Sequence, residues 1–195
     1  MDDLEELRYP MGRLPRRSAP LDARERAAFI ATIEEAPARF RSLVTGLTDP
    51  QLDTPYRPGG WTIRQVVHHV PDSHMNAYVR MKLAVTEDAP SIKTYEEAQW
   101  AELPEAKTAP IEMSLALLEA LHTRWVTFLR ALPESDFRKA FLHPQWGAVT
   151  VDESITMYAW HCRHHAAHIA GALGGHEGQQ GRERREGQER QEGSG

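Results

Sequence analysis

The chain has 195 residues, 41% of them hydrophobic and 26% charged, with a formal net charge of -5. That length suffices for one domain with a real core. No apolar run approaches the roughly 20 residues that cross a bilayer, and no basic block interleaves with aromatics, so neither a membrane nor nucleic acid is an expected partner. The start, MDDLEELRYP, is acidic where a signal peptide would be basic and then apolar, and Cys162 is the lone cysteine. A cytoplasmic protein is expected.

In chain order, residues 22–46 place Ala27, Phe29, Ile30, Ile33, Phe40, Leu43 and Val44 at helical spacing, predicting one amphipathic helix or two halves bent at Pro37. LTDPQLDTPYRPGG is turn-rich, with Asp49 and Pro50 placed to open a short turn. Thr62 and Gln65 form a capping box for a helix running from Ile63 to about Val85. A long connection over 87–109 is then expected to be either a crossover that lets helices run parallel or a functional lid. A helix over 110–132 follows, with Pro110 at its first position. Short peripheral hairpin strands fit FLHPQWGAVTV, and TVDE at 150–153 repeats the capping box for a last helix expected to stop at Gly174 or Gly175.

These elements predict an all-α fold, a four-helix bundle of up-and-down type with one long inter-helix connection. Residues 1–173 make the helical domain. Residues 174–195 hold four arginines, five glutamates and no aliphatic side chain, so a disordered polar tail is expected.

The bundle must accommodate ten histidines, four of them in WHCRHHAAHI at 160–169. His161 and His165 are one turn apart on one face, His168 shares that face, and His164 sits at an angle to it. His68 and His69 are adjacent, so they diverge by about 100° and only one can face the interior; valines on either side leave the choice open. One of this pair with two from the last helix would bring three imidazoles together in the core, where bundles build metal sites. Three neutral ligands leave a coordination position open and acidify a bound water or thiol. A His-x-x-x-His pair alone is weak support, because helices present such pairs by chance. The His-Glu-x-x-His pattern of zincin proteases is absent.

Residues 51–83, 114–125 and 158–169 together resemble the YfiT group of the DinB-like superfamily, and the similarity extends from RYPMG at 8–12 to about Ala172. Its specific marks are a helix histidine eight residues after Trp61 and the late WHCRHHAAHI. The resemblance implies a four-helix bundle, often homodimeric, holding one divalent metal ion on His69, His161 and His165, with zinc the first expectation and nickel or another transition metal the next. Pro71, two residues after His69, departs from the family's pattern and would kink the helix beside a ligand. The family's chemistry implies transfer of a low-molecular-weight thiol such as bacillithiol to an electrophile, with metal-dependent hydrolysis by activated water as the alternative. A metal-binding bundle without turnover is the third reading.

No catalytic group is assigned from the sequence. Asp72, Ser73 and His168 are the candidates: Asp72 as a base for hydrolysis, Ser73 as a cavity-lining group, His168 as a group orienting a ligand or substrate. Asn76 could line the same cavity, and His143 could reach it from a loop. Trp61 and Trp160 are expected to pack near the site, and Cys162 to be a packed small residue.

Overall fold

The computed structural model describes residues 3–14 and 19–192, with side chains for 4–14 and 19–174. Four long helices carry the fold: α2 (Ala23–Val44), α4 (Ile63–Thr86), α7 (Ile111–Ala131) and α8 (Val151–Glu192). Shorter helices are α1 (Asp3–Arg8), α3 (Asp49–Leu52), α5 (Glu97–Ala101) and α6 (Pro104–Thr108); a 3-10 turn (Glu134–Arg138) precedes the strands β1 (Ala140–His143) and β2 (Gly147–Thr150).

The helix starts follow from local chemistry. Thr62 accepts from the Gln65 amide while the Gln65 side chain accepts from the Thr62 amide, and Thr150 with Glu153 repeats the exchange. Asp22 and Glu25 cap α2 in the same way. Pro110 is the residue before α7 rather than its first. α2 continues unbroken through Pro37 and α4 through Pro71. α8 does not stop at Gly174 or Gly175 but continues to Glu192; the side chains of 175–195, on which the expectation of a disordered tail rests, lie outside the described residues.

α2 packs on α7 and α8, and α4 packs on the same two, so α2 and α4 face each other across the core. Direction follows from the bonds between helices. His68 meets Ser114 near the starts of α4 and α7, and Met81 meets Trp125 near their ends, so these two run parallel. Arg26 meets Asp152 at the starts of α2 and α8, so these are parallel too. Ser73 meets Tyr158 while His69 lies beside His165, so α4 and α8 are antiparallel. Strict up-and-down alternation is thus broken between α4 and α7, and the segment 87–109 is the crossover that makes this possible.

The crossover is tied down at both ends. A parallel bridge joins Ser91 to Leu142 of β1, and Gln65 donates to the carbonyl of Ala101. β1 and β2 form the expected hairpin, registering Ala140 with Thr150 and His143 with Gly147, which takes a positive φ of 73° to close the turn. The core between the four helices is largely apolar, with Ile33, Ile63, Leu118, Trp125 and Ile169 all fully buried.

Candidate metal centre

The apolar stripe of α4 runs through Ile63, Val66, Val67, Val70, Ala77, Met81 and Ala84, which turns its adjacent histidines to different neighbours. His68 faces α7: its Nε2–H donates to the Ala109 carbonyl at 3.2 Å and its Nδ1 accepts from Ser114 Oγ at 2.7 Å. This is a structural histidine with both nitrogens occupied. His69 faces α8, in the angle beneath Trp61, with ring centroids 4.7 Å apart. There it meets His161 and His165, one turn apart on α8, at 5.4 and 5.0 Å between ring centroids.

One nitrogen from each of His69, His161 and His165 falls within 4.8 Å of the other two, and among the described residues this is the one such group of histidine, cysteine or carboxylate ligands. Among the described residues, no hydrogen-bonding partner meets either nitrogen of His69. Burial lowers its pKa to about 4 and holds those of His161 and His165 well below 6.5, where neighbouring imidazoles reinforce the effect for these two. All three are therefore neutral at pH 7, which is the ligating form. Three imidazoles without a carboxylate suit zinc, nickel, iron or copper, so the donor set fits a divalent transition-metal ion and leaves room for a further ligand.

Two cavities of about 400 Å³ meet at His161. One is bordered by Trp61, Tyr56, Arg57 and Trp160, by His69 of α4 and by His161, His164, His165 and His168 of α8. The other is bordered by Ser73, Arg80, Tyr95, His143, Trp146 and Tyr158. Glu97 and Ala98 of α5 border both, so the crossover also forms a wall of the site.

The remaining sequence candidates separate clearly. Ser73 is at the site, with Oγ 3.5 Å from His161 Nε2 and from the Tyr158 hydroxyl. His168 stacks on Tyr56 at 3.9 Å; its Nε2–H donates to the Arg8 carbonyl at 3.2 Å, which leaves its Nδ1 to accept from His165 Nδ1–H at 3.4 Å. That arrangement directs the lone pair of His165 Nε2 away from His168. His143 borders the second cavity, stacked on Trp146. Trp160 stacks on His164 at 4.2 Å. Cys162 is buried, and burial pushes its thiol up to about 12. Asp72 borders neither cavity: half-buried near Glu105, it is raised to about 6 by burial and by that neighbour's charge. Asn76 also borders neither and donates to the Asp72 carbonyl instead.

Two further histidines, outside the sequence motifs, stand behind the cluster. His74 occupies an apolar-stripe position of α4, and His122 does so on α7, between Leu118 and Trp125. Their nitrogens are 2.7 Å apart, and His74 Nε2 lies 2.9 Å from His161 Nδ1. The signal was a histidine sitting where helical periodicity calls for an aliphatic residue.

These buried imidazoles make metal-free stability depend on pH. Their folded pKa values lie below the ordinary 6.5, so in acid the unfolded chain binds protons that the folded chain excludes. Stability is full above that value and is lost as pH falls towards about 4. His69 and His122 should each cost about 2 kcal/mol at about pH 5. Urea unfolding of chelator-treated protein should therefore show a loss of roughly 4 kcal/mol or more between about pH 7.5 and pH 5. Equal stability at the two pH values would mean that these rings are protonated in the folded state.

The DinB superfamily model matches residues 32–169. A Bacillus cereus (strain 03BB102) protein bearing the provisional name metal-dependent hydrolase is 49% identical over 166 residues, 85% of this chain and 95% of that protein. YfiT of Bacillus subtilis (strain 168), with the same provisional name, is 47% identical over 165 residues, 84% of this chain and 92% of its own. The solved structure of Bacillus subtilis YfiT, described as a four-helix bundle of unusual topology, superposes with a TM-score of 0.83 at 45% identity, covering 86% of this chain and 95% of that one. Matched by the superfamily model over residues 32–169 and by these relatives over most of its length, the chain belongs to the YfiT group of the DinB superfamily.

Proposed function

We propose that this protein is a metal-dependent enzyme in which His69, His161 and His165 hold one divalent ion, zinc first among the candidates, and that its reaction transfers a low-molecular-weight thiol of the bacillithiol type to an electrophile. The observation that carries the reading is the meeting of three neutral imidazoles at the junction of two cavities. When bound, the ion would supply a Lewis-acidic position that lowers the pKa of a coordinated thiol. The chain's own residues do the rest. The helices hold the three donors on one side, Trp61 and Trp160 restrict water, and the cavities meeting at His161 offer separate approaches for two reactants. Two chambers are what a two-substrate transfer needs, and they weigh against a filled bundle that only stores metal.

Hydrolysis is the second reading. Asp72, the base it called for, stands away from both cavities, which favours a reaction that needs no strong base. Glu97, however, borders both and could accept a proton from an attacking water, and the relatives' provisional names point the same way. Small-molecule reactants and a homodimer belong to the same proposal, as does a cytoplasmic setting; among the described residues no helix is long and apolar enough to cross a membrane.

The deciding experiment supplies zinc-loaded protein with bacillithiol, glutathione or cysteine and an aryl halide electrophile, and in parallel with 4-nitrophenyl esters. Thioether formation that disappears in His69→Ala supports transfer. Ester cleavage that needs Glu97 and no thiol supports hydrolysis, and neither activity at saturating metal would leave a binding protein.

A further inference from the structure

Pro37 sits inside α2 and has no N–H, so the carbonyl four residues earlier, that of Ile33, lacks its helical donor. That carbonyl is not left unpaired: His122 Nδ1 approaches it at 2.6 Å from α7. A carbonyl only accepts, so His122 carries its proton on Nδ1. The opposite nitrogen, Nε2, is then the acceptor in the 2.7 Å contact with His74, which must donate from its own Nδ1. His74 Nε2 is in turn an acceptor, so the proton in its 2.9 Å contact with His161 belongs to His161 Nδ1. One backbone oxygen on α2 thus sets the direction of three hydrogen bonds that cross the core to α8.

We propose that His122 and His74 are positioning residues that hold His161 as the Nδ1–H tautomer and present its Nε2 lone pair to the cavity shared with His69 and His165. This rests on the reading of His161 as a metal ligand. In the opposite tautomer a proton would occupy the nitrogen that faces the cavity, and the ring would have to exchange it before ligating. Pro37, in this arrangement, is the residue that frees the anchoring carbonyl. His74 and His122 are fully buried, so these two members of the relay are shielded from bulk water in the folded protein.

The test reads the tautomer directly. Long-range ¹H–¹⁵N spectra of the metal-free protein should show His161 protonated at Nδ1 and bare at Nε2, with His74 and His122 in the same state. In His122→Leu the direction is no longer imposed, so His161 should populate both tautomers, and Zn²⁺ affinity measured by chelator competition should fall about 10- to 100-fold. His122→Gln keeps a donor for Ile33 and an acceptor for His74, and should restore both the spectrum and most of the affinity. A His161 ring protonated at Nε2 in the unaltered protein would overturn the proposal, as would a folded His122→Leu with unchanged tautomer and affinity. If His122→Leu does not fold, the spectrum of the unaltered protein still decides. Failure of that protein to bind Zn²⁺ despite the expected tautomer would count against the ligand assignment and leave the relay standing.

Discussion

Replacing His165 with alanine is expected to take protein purified without added metal from near one equivalent of bound transition metal to less than roughly a tenth of that. The ring lies 4.4 Å from His161 and 5.0 Å from His69, close enough that all three can share one ion. Two imidazoles in the absence of the third leave a site open on two sides, and neither Ser73 nor Cys162 supplies an equivalent donor. Ser73, 3.5 Å from His161 Nε2, offers only a neutral hydroxyl, a weaker donor than imidazole, and Cys162 is buried with its thiol raised to about 12. His168→Ala, which removes the group that orients His165 without removing a donor, should weaken binding about 10- to 100-fold while keeping the stoichiometry. Elemental analysis and chelator competition separate the two results. Full metal content in His165→Ala would move the site elsewhere in the protein.

Asp152→Ala is expected to produce the largest loss of stability, about 3 kcal/mol, or roughly 6–12 °C in Tm. Asp152 is buried and accepts from Arg26 Nε at 2.7 Å, from Arg26 Nη2 at 3.1 Å and from the Leu21 amide at 3.1 Å. Truncation strands a buried guanidinium and an amide together. Glu134 also grips Arg26, at 2.7 and 3.0 Å, but it is largely exposed and screened by solvent, so it retains only part of the pairing. The double change Arg26→Met with Asp152→Leu should recover much of the loss, because it removes the charges instead of orphaning one. Urea unfolding monitored by circular dichroism measures both. A loss below about 1 kcal/mol in Asp152→Ala would mean that Glu134 alone satisfies the arginine.

What could be read in advance followed from how local each signal is. The Thr62–Gln65 and Thr150–Glu153 capping boxes are complete within four residues, and both helices begin where they require. The hairpin and the turn at Asp49–Pro50 are similarly short-range. The parallel run of α4 and α7 was legible only as an alternative, because direction is decided by which residues meet across the core. Periodicity could not choose between His68 and His69, since valines flank both; packing against Ser114 on one side and Trp61 on the other decides it. Asp72 shares a helix with His69 at a spacing of three, yet it lies near Glu105 and borders neither cavity, because three residues along a helix leave it about 60° out of phase with His69. His74 and His122 were hidden by their position, since a polar group in an apolar stripe announces itself only when a partner is found.

Parallel pairing of α4 and α7 also bears on how the molecule assembles. Neighbouring antiparallel helices can meet as a hairpin, but here the His74–His122 contact closes across 48 residues and the His74–His161 contact across 87. Contacts of such separation form late, after loop-closure entropy has been overcome by other packing. The three ligands therefore come together only in a nearly complete native chain. A bound ion should slow unfolding while leaving the refolding rate almost unchanged, so its protection would be kinetic, lengthening the life of molecules that have already folded.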